Sequence, residues 1–344
     1  MVDLTKLSDQ FVQSDFSSIP IINLKDAQSP SREKRQDLAD QIRDACLNTG
    51  FFYITNHGVP LDVVNRTFAQ SHAFFDLPPG VKKTVDINKS ENFRGYMGLL
   101  TENNDPANKG DMHEAFNMGL DPLVAPESFK RTKKEGELQH SENLWPDEND
   151  WEDAKAFKQA NLDYYQHVLA LGYKLFPLFA LALNLSEDFF EDKTCFPAAI
   201  MRILFYPALG DREVDELMPG IGAHTDFECF TILRQDEVSG LQVQNRKGDW
   251  IDAVPTPNSF IVNIGDQLQR WTNDIFVSTR HRVLPTLAKD RYSIPFFFGC
   301  DHNVPLIPPD TCVTEDRHTR YEVMTAGAYV HKRLSEVYSQ AKNK

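Results

Sequence analysis

Two histidines and one aspartate form the most informative pattern in this chain of 344 residues. His224 and Asp226 are two positions apart, and 54 residues separate Asp226 from His281. Two imidazoles and one carboxylate are typical of non-haem iron(II) sites, because three protein ligands on one face leave positions open for substrate and dioxygen. The residue types and spacing therefore predict a metal site suited to oxygen chemistry.

A second pair of chemically useful residues, Arg291 and Ser293, begins ten positions after His281. Side chains alternate along a strand, so residues two apart share a face, and this rule applies equally to His224 and Asp226. A guanidinium pointing into an apolar barrel would be costly without an anion. The pair therefore predicts a site for a carboxylate.

Short strands and turns lie between the predicted metal ligands. Apolar runs bounded by turn residues predict strands over 230–233, 240–244, 250–254 and 260–264. A series of short strands that doubles back can return the chain to its starting point. His281 could then complete the metal site across a barrel or sandwich.

Motifs over most of the chain resemble the iron(II)/2-oxoglutarate-dependent dioxygenases of the isopenicillin N synthase-like family. The amino-terminal motifs are Ile19-Pro20-Ile21-Ile22-Asn23-Leu24, Gly50-Phe51-Phe52-Tyr53-Ile54, Asn56-His57-Gly58-Val59-Pro60 and Phe74-Phe75-Asp76-Leu77-Pro78. The core motifs are His224-Thr225-Asp226, Gly240-Leu241-Gln242-Val243, Asn263-Ile264-Gly265-Asp266, Ser278-Thr279-Arg280-His281-Arg282-Val283 and Arg291-Tyr292-Ser293. The resemblance implies a mainly β fold with flanking helices (α+β) around a double-stranded β-helix, the cupin-like jelly roll.

The same resemblance implies roles for the two residue sets. His224, Asp226 and His281 would bind iron(II), while Arg291 and Ser293 would bind the far carboxylate of 2-oxoglutarate. With dioxygen, the implied chemistry is oxidative decarboxylation of 2-oxoglutarate to succinate and carbon dioxide, coupled to oxidation of a second substrate. No catalytic residue beyond the iron ligands is expected.

Two further positions bear on the co-substrate. Tyr206 matches a tyrosine that contacts 2-oxoglutarate in many members of the family, and Leu204 stands where many plant members have asparagine. A hydrogen bond lost at Leu204 would be worth about 0.5–1.5 kcal/mol, whereas a charge-assisted contact from Arg291 would contribute about 1.5–3 kcal/mol. We therefore expect 2-oxoglutarate to remain the co-substrate.

The resemblance and the residue patterns divide the chain into five stretches. They are an N-terminal extension (1–17), an N-terminal dioxygenase domain with irregular pocket-wall loops (18–150), a long packing helix (151–195), the oxygenase jelly-roll core (196–305), and a C-terminal segment whose helix could close over the barrel mouth (306–344).

Substrate contacts are harder to assign from sequence. Arg202 lies four residues before Tyr206 on one predicted strand face, where it could pair with an anionic substrate group or with a surface carboxylate. The other candidates are cavity-facing or aromatic positions, namely Phe297, Gly299, Phe93, Tyr96, His113 and Phe116. An aromatic cavity with one cation fits a small acid or an oxygenated aromatic or terpenoid metabolite of secondary metabolism.

Three functional interpretations follow. The first is a 2-oxoglutarate-dependent oxygenase that hydroxylates a small molecule, or carries out a desaturation or ring rearrangement. The second is an iron-dependent oxidase of the same fold that uses no 2-oxoglutarate, in which Arg291 and Ser293 receive the carboxylate of the substrate. The third is a non-catalytic barrel that binds a ligand, although such a protein has no need of all three metal ligands.

Composition argues against several other classes of protein. A formal charge of −14 and a pI near 5.2 argue against nucleic-acid and anionic-membrane partners, which require basic patches. No apolar run approaches the roughly 20 residues of a membrane span, and the first residues lack the order of a secretory signal. We therefore expect a cytoplasmic enzyme with a small-molecule substrate and no obligate protein partner. Its cysteines, without a Cys-x-x-Cys pair, are expected to be reduced thiols: Cys46, Cys195, Cys229, Cys300 and Cys312.

Overall fold

The computed structural model describes residues 2–12, 15–90, 92–123, 142–211, 215 and 217–342, with the backbone alone for 12 and 336–342. Its helices are α1 (Leu4–Val12), α2 (Arg32–Asn48), α3 (Leu61–Phe75), α4 (Pro79–Lys82), α5 (Ala154–Ala182), α6 (Asp266–Trp271) and α7 (Ala326–Lys342). Its strands are β1 (Ile21–Asn23), β2 (Phe51–Thr55), β3 (Gly95–Met97), β4 (Glu114–Gly119), β5 (Ala199–Tyr206), β6 (Ile221–His224), β7 (Phe230–Gln235), β8 (Leu241–Gln244), β9 (Trp250–Asp252), β10 (Phe260–Ile264), β11 (His281–Val283) and β12 (Arg291–Phe298).

Within the described residues the strands form two sheets. The larger has the order β1-β2-β10-β7-β12-β5-β4-β3, and the smaller has the order β6-β11-β8-β9. The pairing is antiparallel except between β1 and β2. Strands far apart in sequence become neighbours, as when β12 lies between β5 and β7. This is the jelly-roll arrangement with flanking helices that the sequence predicts, and the fold class is confirmed.

Strands from the amino-terminal half complete the larger sheet at both edges. Within the motif 19–24, residues Ile21–Asn23 form β1, which pairs with β2, and β2 in turn pairs with β10. The predicted N-terminal domain (18–150), expected to contain irregular pocket-wall loops, also supplies β3 and β4 beside β5. Strand β3 has only three residues, and both strands contain glycine, which weakens the sequence signal for a strand. Residues 124–141 lie outside the described residues.

Alternation along β12 gives the larger sheet two different faces. The side chains of Tyr292, Ile294, Phe296 and Phe298 belong to the hydrophobic core, whereas those of Arg291, Ser293, Pro295 and Phe297 line an internal cavity. Strand geometry requires this division, because successive side chains point to opposite faces. One face of the sheet therefore packs in the hydrophobic core, and the other face lines the cavity.

Helix α5 covers the core side of this sheet. The ring of Tyr165 packs 4.9 Å from that of Phe296, and Phe176 packs 5.3 Å from Phe298. Helix α5 lies within the predicted packing helix (151–195) but ends at Ala182. Its apolar residues at steps of three and four are buried, and it continues through Pro177. Burial of these rings fixes the position of β12 relative to the rest of the fold.

None of the described helices combines the length and the apolar character required to cross a lipid bilayer.

Close packing between α5 and β12 yields a testable prediction at Gly172. A Cβ atom there would lie 2.2 Å from Cε2 of Phe298, whose ring is fully buried. Alanine gains about 1 kcal/mol in helix propensity, but overpacking of a core costs about 1–3 kcal/mol. A contact of 2.2 Å is far inside van der Waals distance, so the overpacking cost should lie in the upper part of that range. We expect Gly172→Ala to lower the free energy of unfolding by about 1–2 kcal/mol in urea denaturation.

Gly80 in α4 is the matched control, because a Cβ atom there meets nothing within 4 Å. Gly80→Ala should leave the free energy of unfolding unchanged or slightly raised. Equal stability of Gly172→Ala and the wild type would contradict the tight packing described here.

Candidate active site

A cavity of about 490 Å³ lies between the two sheets. Its wall includes both residue pairs that the sequence singled out, since His224, Asp226, Arg291 and Ser293 all line it. His281 lines it as well. One cavity therefore contains the predicted metal ligands and the predicted carboxylate site.

The three predicted metal ligands converge. His224 is the last residue of β6, and His281 is the first residue of β11 and its direct partner in the smaller sheet. The Oδ1 atom of Asp226 lies 3.6 Å from Nε2 of each histidine, and the three candidate ligand atoms all lie within 4.8 Å of one another. These distances fit three side chains that face a single cation.

The structure does not place Asp226 on the same strand face as His224, which the sequence predicted. Strand β6 ends at His224, so the two residues do not share a strand face. After His224 the chain leaves the sheet. The start of α6 fixes the backbone of Asp226, because the Asp266 N–H donates to the Asp226 carbonyl at 2.8 Å. The side chain of Thr225 also donates to the Asp266 carboxylate, at 3.1 Å.

Two buried polar side chains orient the Asp226 carboxylate. Its Oδ2 atom accepts a hydrogen bond from Thr231 Oγ1 of β7 at 2.5 Å and another from Asn263 Nδ2 of β10 at 2.7 Å. Oδ1 is thereby left to face the histidines. Sequence analysis did not identify either partner, although a polar Asn263 within the apolar run 260–264 was a usable signal.

Electrostatics favour the metal-binding protonation states of Asp226 and His281, whereas burial lowers the pKa of His224 but Asp226 raises it to a net value above the ordinary range. Burial opposes ionisation of Asp226, but the two neighbouring histidines hold the pKa of its carboxyl below the ordinary range. Burial, together with the charge of His224, lowers the pKa of His281 to about 4. The carboxylate is therefore ionised and the His281 imidazole is neutral near pH 7, as metal coordination requires.

The Arg291 guanidinium is buried at the other predicted site. Its Nη2 donates to Gln235 Oε1 at 2.9 Å, its Nε donates to the Val238 carbonyl at 3.1 Å, and its Nη1 lies 3.4 Å from Ser293 Oγ. The Tyr206 ring lies 4.8 Å from its Cζ atom. Among the described residues no carboxylate forms an ion pair with Arg291. The charge of its guanidinium can therefore bind an anion that enters the cavity.

Leu204 also faces this part of the cavity. It lies directly opposite Ser293 across the β5–β12 pair, and its side chain is almost fully buried. An asparagine here would place an amide beside the serine hydroxyl. The leucine instead supplies an apolar wall.

Arg202 lines the cavity, but its charge is already paired. Its Nη2 donates to Glu102 Oε2 at 2.9 Å, and its Nε donates to Asn117 Oδ1 at 3.0 Å. Glu102 also lines the cavity, and its pKa is held well below the ordinary range against the effect of burial, chiefly by Arg202. The carboxylate partner therefore comes from the cavity wall and is not on the surface.

The other substrate candidates separate into two groups. Phe93 and Phe297 line the cavity. The described part of the cavity wall does not include Tyr96 or Phe116, which belong to the hydrophobic core. Tyr96 donates to Glu114 at 2.7 Å. Aromatic character alone could not distinguish a wall residue from a core residue here.

His113 and Gly299 also lie outside the described cavity wall. The Nδ1 atom of His113 lies 3.0 Å from the Gly220 carbonyl. Strand β12 ends at Phe298, so the alternation that predicted a cavity position for Gly299 does not extend to it. A Cβ atom on Gly299 would lie 2.1 Å from Glu228 Oε2, and the glycine thus makes room for that carboxyl group.

Glu228 and Arg94 are cavity residues that sequence analysis missed. Both side chains are buried, and Glu228 Oε2 and Arg94 Nε have no hydrogen-bond partner among the described residues. Burial raises the pKa of Glu228 to about 8. Neither residue stands at a spacing that marks a site, so only the three-dimensional structure identifies them.

Comparisons with known proteins identify the family of this chain. Residues 19–148 match the family described as non-haem dioxygenase in morphine synthesis N-terminal, and residues 197–299 match the 2OG-Fe(II) oxygenase superfamily. The 2-oxoglutarate-Fe(II) type oxidoreductase ppzC of Metarhizium majus is 34% identical over 331 residues, which cover 94% of this chain and 88% of that protein.

Two further relatives extend the comparison. The 2-oxoglutarate-dependent dioxygenase traH of Penicillium crustosum is 33% identical over 312 residues, covering 87% of this chain and 90% of that protein. A full-length Neurospora crassa protein, whose crystal structure is a complex with alpha-KG and thymine, superposes with a TM-score of 0.80 at 27% identity, covering 92% of this chain and 96% of that chain.

The hydrogen bond from Asn263 to Asp226 yields a prediction about metal affinity. Side chains that orient metal ligands typically contribute a factor of about 10–100 to affinity. We expect Asn263→Ala to weaken iron(II) binding by about that factor, measured anaerobically by competition with a chromogenic chelator.

The control is Asn161→Ala, which removes a buried amide that donates within α5 to the Phe157 carbonyl. This variant should lose stability while binding iron(II) like the wild type. Equal iron affinity in the Asn263 and Asn161 variants would show that the Asp226 hydrogen bond does not support the metal site.

Proposed function

Because this chain belongs to the 2OG-Fe(II) oxygenase superfamily, we propose that it oxidises a carbon–hydrogen bond of a small organic molecule bound in the cavity between its sheets. The protein is a 2-oxoglutarate-dependent non-haem iron dioxygenase that uses iron(II), 2-oxoglutarate and dioxygen. Hydroxylation converts R–H, 2-oxoglutarate and O₂ into R–OH, succinate and CO₂. Desaturation or ring rearrangement would require the substrate to be held differently in the same cavity.

The observation that carries the proposal is the convergence of His224, Asp226 and His281 at the cavity wall. In this assignment the two Nε2 atoms and Asp226 Oδ1 hold the metal, and the donor set of two imidazoles and one carboxylate is the one that suits iron(II) with open positions. When bound, the iron supplies the redox chemistry that activates dioxygen. Thr231 and Asn263 keep the carboxylate turned toward the histidines.

Arg291, Ser293 and Tyr206 are assigned to 2-oxoglutarate. Gln235 and the Val238 carbonyl hold two edges of the Arg291 guanidinium, so the group is oriented before an anion arrives. A carboxylate bound there would offset the cost of burying the arginine. The Ser293 hydroxyl lies on the same strand face and can donate to the same carboxylate.

The cavity size supports a small-molecule substrate. About 490 Å³ accommodates a compact metabolite, and the Neurospora crassa protein of similar fold is described in complex with thymine. Helix α7 contributes Val330 and Leu334 to the wall, and an ion pair between Arg333 and Asp266 ties this helix to α6. We assign α7 the role of covering the cavity and excluding water from the reaction.

The alternative of an oxidase without 2-oxoglutarate is less well supported. It would use Arg291 and Ser293 for the carboxylate of its substrate, and the geometry of those two residues fits either ligand. The similarity over most of the chain to proteins named for 2-oxoglutarate favours the dioxygenase.

The first test is the complex of the protein with iron(II) and 2-oxoglutarate under anaerobic conditions. Bidentate binding of the keto acid to the metal should produce a visible charge-transfer absorption band. Absence of that band in protein that retains iron would favour the oxidase instead.

Replacement of Arg291 tests the proposed co-substrate site. A charge-assisted contact is worth about 1.5–3 kcal/mol, so Arg291→Met should raise the half-saturating 2-oxoglutarate concentration by about 10–150-fold. The charge-transfer band provides the titration signal.

The matched control is Arg282→Met, which removes a guanidinium stacked 4.0 Å from the Trp250 ring centroid. Arg282 does not line the cavity, so this variant should titrate like the wild type. Loss of 2-oxoglutarate affinity to the same degree in both variants would contradict the assignment of Arg291.

A further inference from the structure

A second buried arginine, Arg94, faces the cavity without a counter-charge among the described residues. It has 7% of its surface exposed and lines the cavity. Its Nε atom has no hydrogen-bond partner, and its guanidinium forms no ion pair with any described residue. Its backbone N–H donates a hydrogen bond to Ser90 Oγ at 3.2 Å, which does not involve the guanidinium. No described residue therefore neutralises the buried Arg94 guanidinium.

Such an arrangement is strongly unfavourable unless a ligand completes it. Arginine retains its proton in proteins even where burial lowers its pKa, as burial does for Arg94. An arginine kept for packing alone could be replaced by an apolar side chain of similar volume without the cost of a buried charge. The charge is therefore best explained by an anion that enters the cavity.

The fold makes room for this guanidinium. It lies against Gly119 of β4, where a Cβ atom would be 2.2 Å from Arg94 Nη2. Nearby in the chain, Asn92 lines the same wall and its buried Oδ1 has no partner among the described residues. Phe93, between the two, has a φ of 57°, a left-handed conformation that is costly for a bulky residue.

The other two cavity arginines already have assignments. Arg202 pairs with Glu102, and Arg291 is assigned to 2-oxoglutarate. Arg94 cannot share the anion of Arg291. Its contact residue Gly119 is opposite Ile200 in the sheet, whereas Arg291 is opposite Tyr206. Those two β5 positions are six residues apart, or roughly 20 Å along the backbone at about 3.3 Å per residue. The reach of the Arg291 side chain toward Ser293 shortens this gap, but the two guanidinium groups stay farther apart than the ends of a five-carbon dicarboxylate.

We propose that Arg94 binds the carboxylate of the primary substrate and that the enzyme therefore acts on small organic monoacids. This inference rests on the proposed function, because it takes the Arg291 site to hold 2-oxoglutarate. A single guanidinium neutralises a monoanion and matches the two oxygens of a carboxylate in a bidentate geometry. A dianionic phosphate would need a second cation, and Arg202 is committed to Glu102.

The test measures binding of three acids to anaerobic protein saturated with iron(II) and 2-oxoglutarate, so that the Arg291 site is filled. The probes are benzoate, phenylacetate and 3-phenylpropanoate, each compared with its neutral primary amide by calorimetry. We expect at least one acid to bind the wild type at least tenfold more tightly than its amide. Arg94→Met should abolish this preference, and Arg94→Lys should retain part of it.

The matched control is Arg234→Met, which removes a partly buried guanidinium that lies over the Phe260 ring outside the cavity. This variant should keep the preference for acids. The proposal is overturned if no acid binds the wild type more tightly than its amide, or if Arg94→Met retains the preference.

Thermal unfolding distinguishes a ligand site from a structural role. Without a substrate acid, Arg94→Met should melt at the same temperature as the wild type or higher, because it removes an uncompensated charge. A clear fall in its melting temperature would overturn the proposal by showing that Arg94 supports the fold. A normal charge-transfer band in Arg94→Met shows that the iron and 2-oxoglutarate sites are intact. If the substrate proposal alone fails, the band is present and the preference for acids is missing; if the proposed function fails, the band itself is missing.

Discussion

Enclosure of charged groups between two β-sheets is the constraint on which this structure depends. Asp226 is a buried carboxylate, and burial alone would favour its neutral form. It remains ionised because His224 and His281 face one oxygen while Thr231 and Asn263 donate to the other. These partners come from four different strands, so the charge is stable only when both sheets are formed.

The same constraint links packing to chemistry along β12. One face of this strand buries Phe296 and Phe298 under α5, and the other face presents Arg291 and Ser293 to the cavity. A shift of one residue in register would place the guanidinium in the hydrophobic core and a phenyl ring in the carboxylate site. The large hydrophobic interface with α5 therefore protects the site from misalignment.

The parts predictable from sequence were those governed by local periodicity. Arg291 and Ser293 lie on one strand face as predicted, because β12 continues regularly through both residues. The same rule failed for His224 and Asp226, since β6 ends between them. Their convergence with His281 nevertheless followed from the motif, because the motif specifies ligand types and spacing and does not depend on where the strand ends.

The remaining features depend on which partners a residue has, and one sequence does not contain that information. Even spacing to Tyr206 singled out Arg202 as a candidate for an anionic ligand, whereas no sequence pattern marked Arg94. In the structure Glu102 neutralises the first, and no described carboxylate pairs with the second. In the same way, Tyr96 lies in the core while Phe93 faces the cavity, because β3 and β4 join a sheet whose edge the local pattern did not reveal.

The central claim is that one ferrous ion is held by three side chains at the cavity wall. Anomalous diffraction at the iron edge, on crystals grown anaerobically with iron(II) and 2-oxoglutarate, tests it most directly. We expect a single strong peak bounded by Nε2 of His224, Oδ1 of Asp226 and Nε2 of His281. A peak elsewhere, or no peak at this position in protein shown to contain one iron per chain, would contradict the claim.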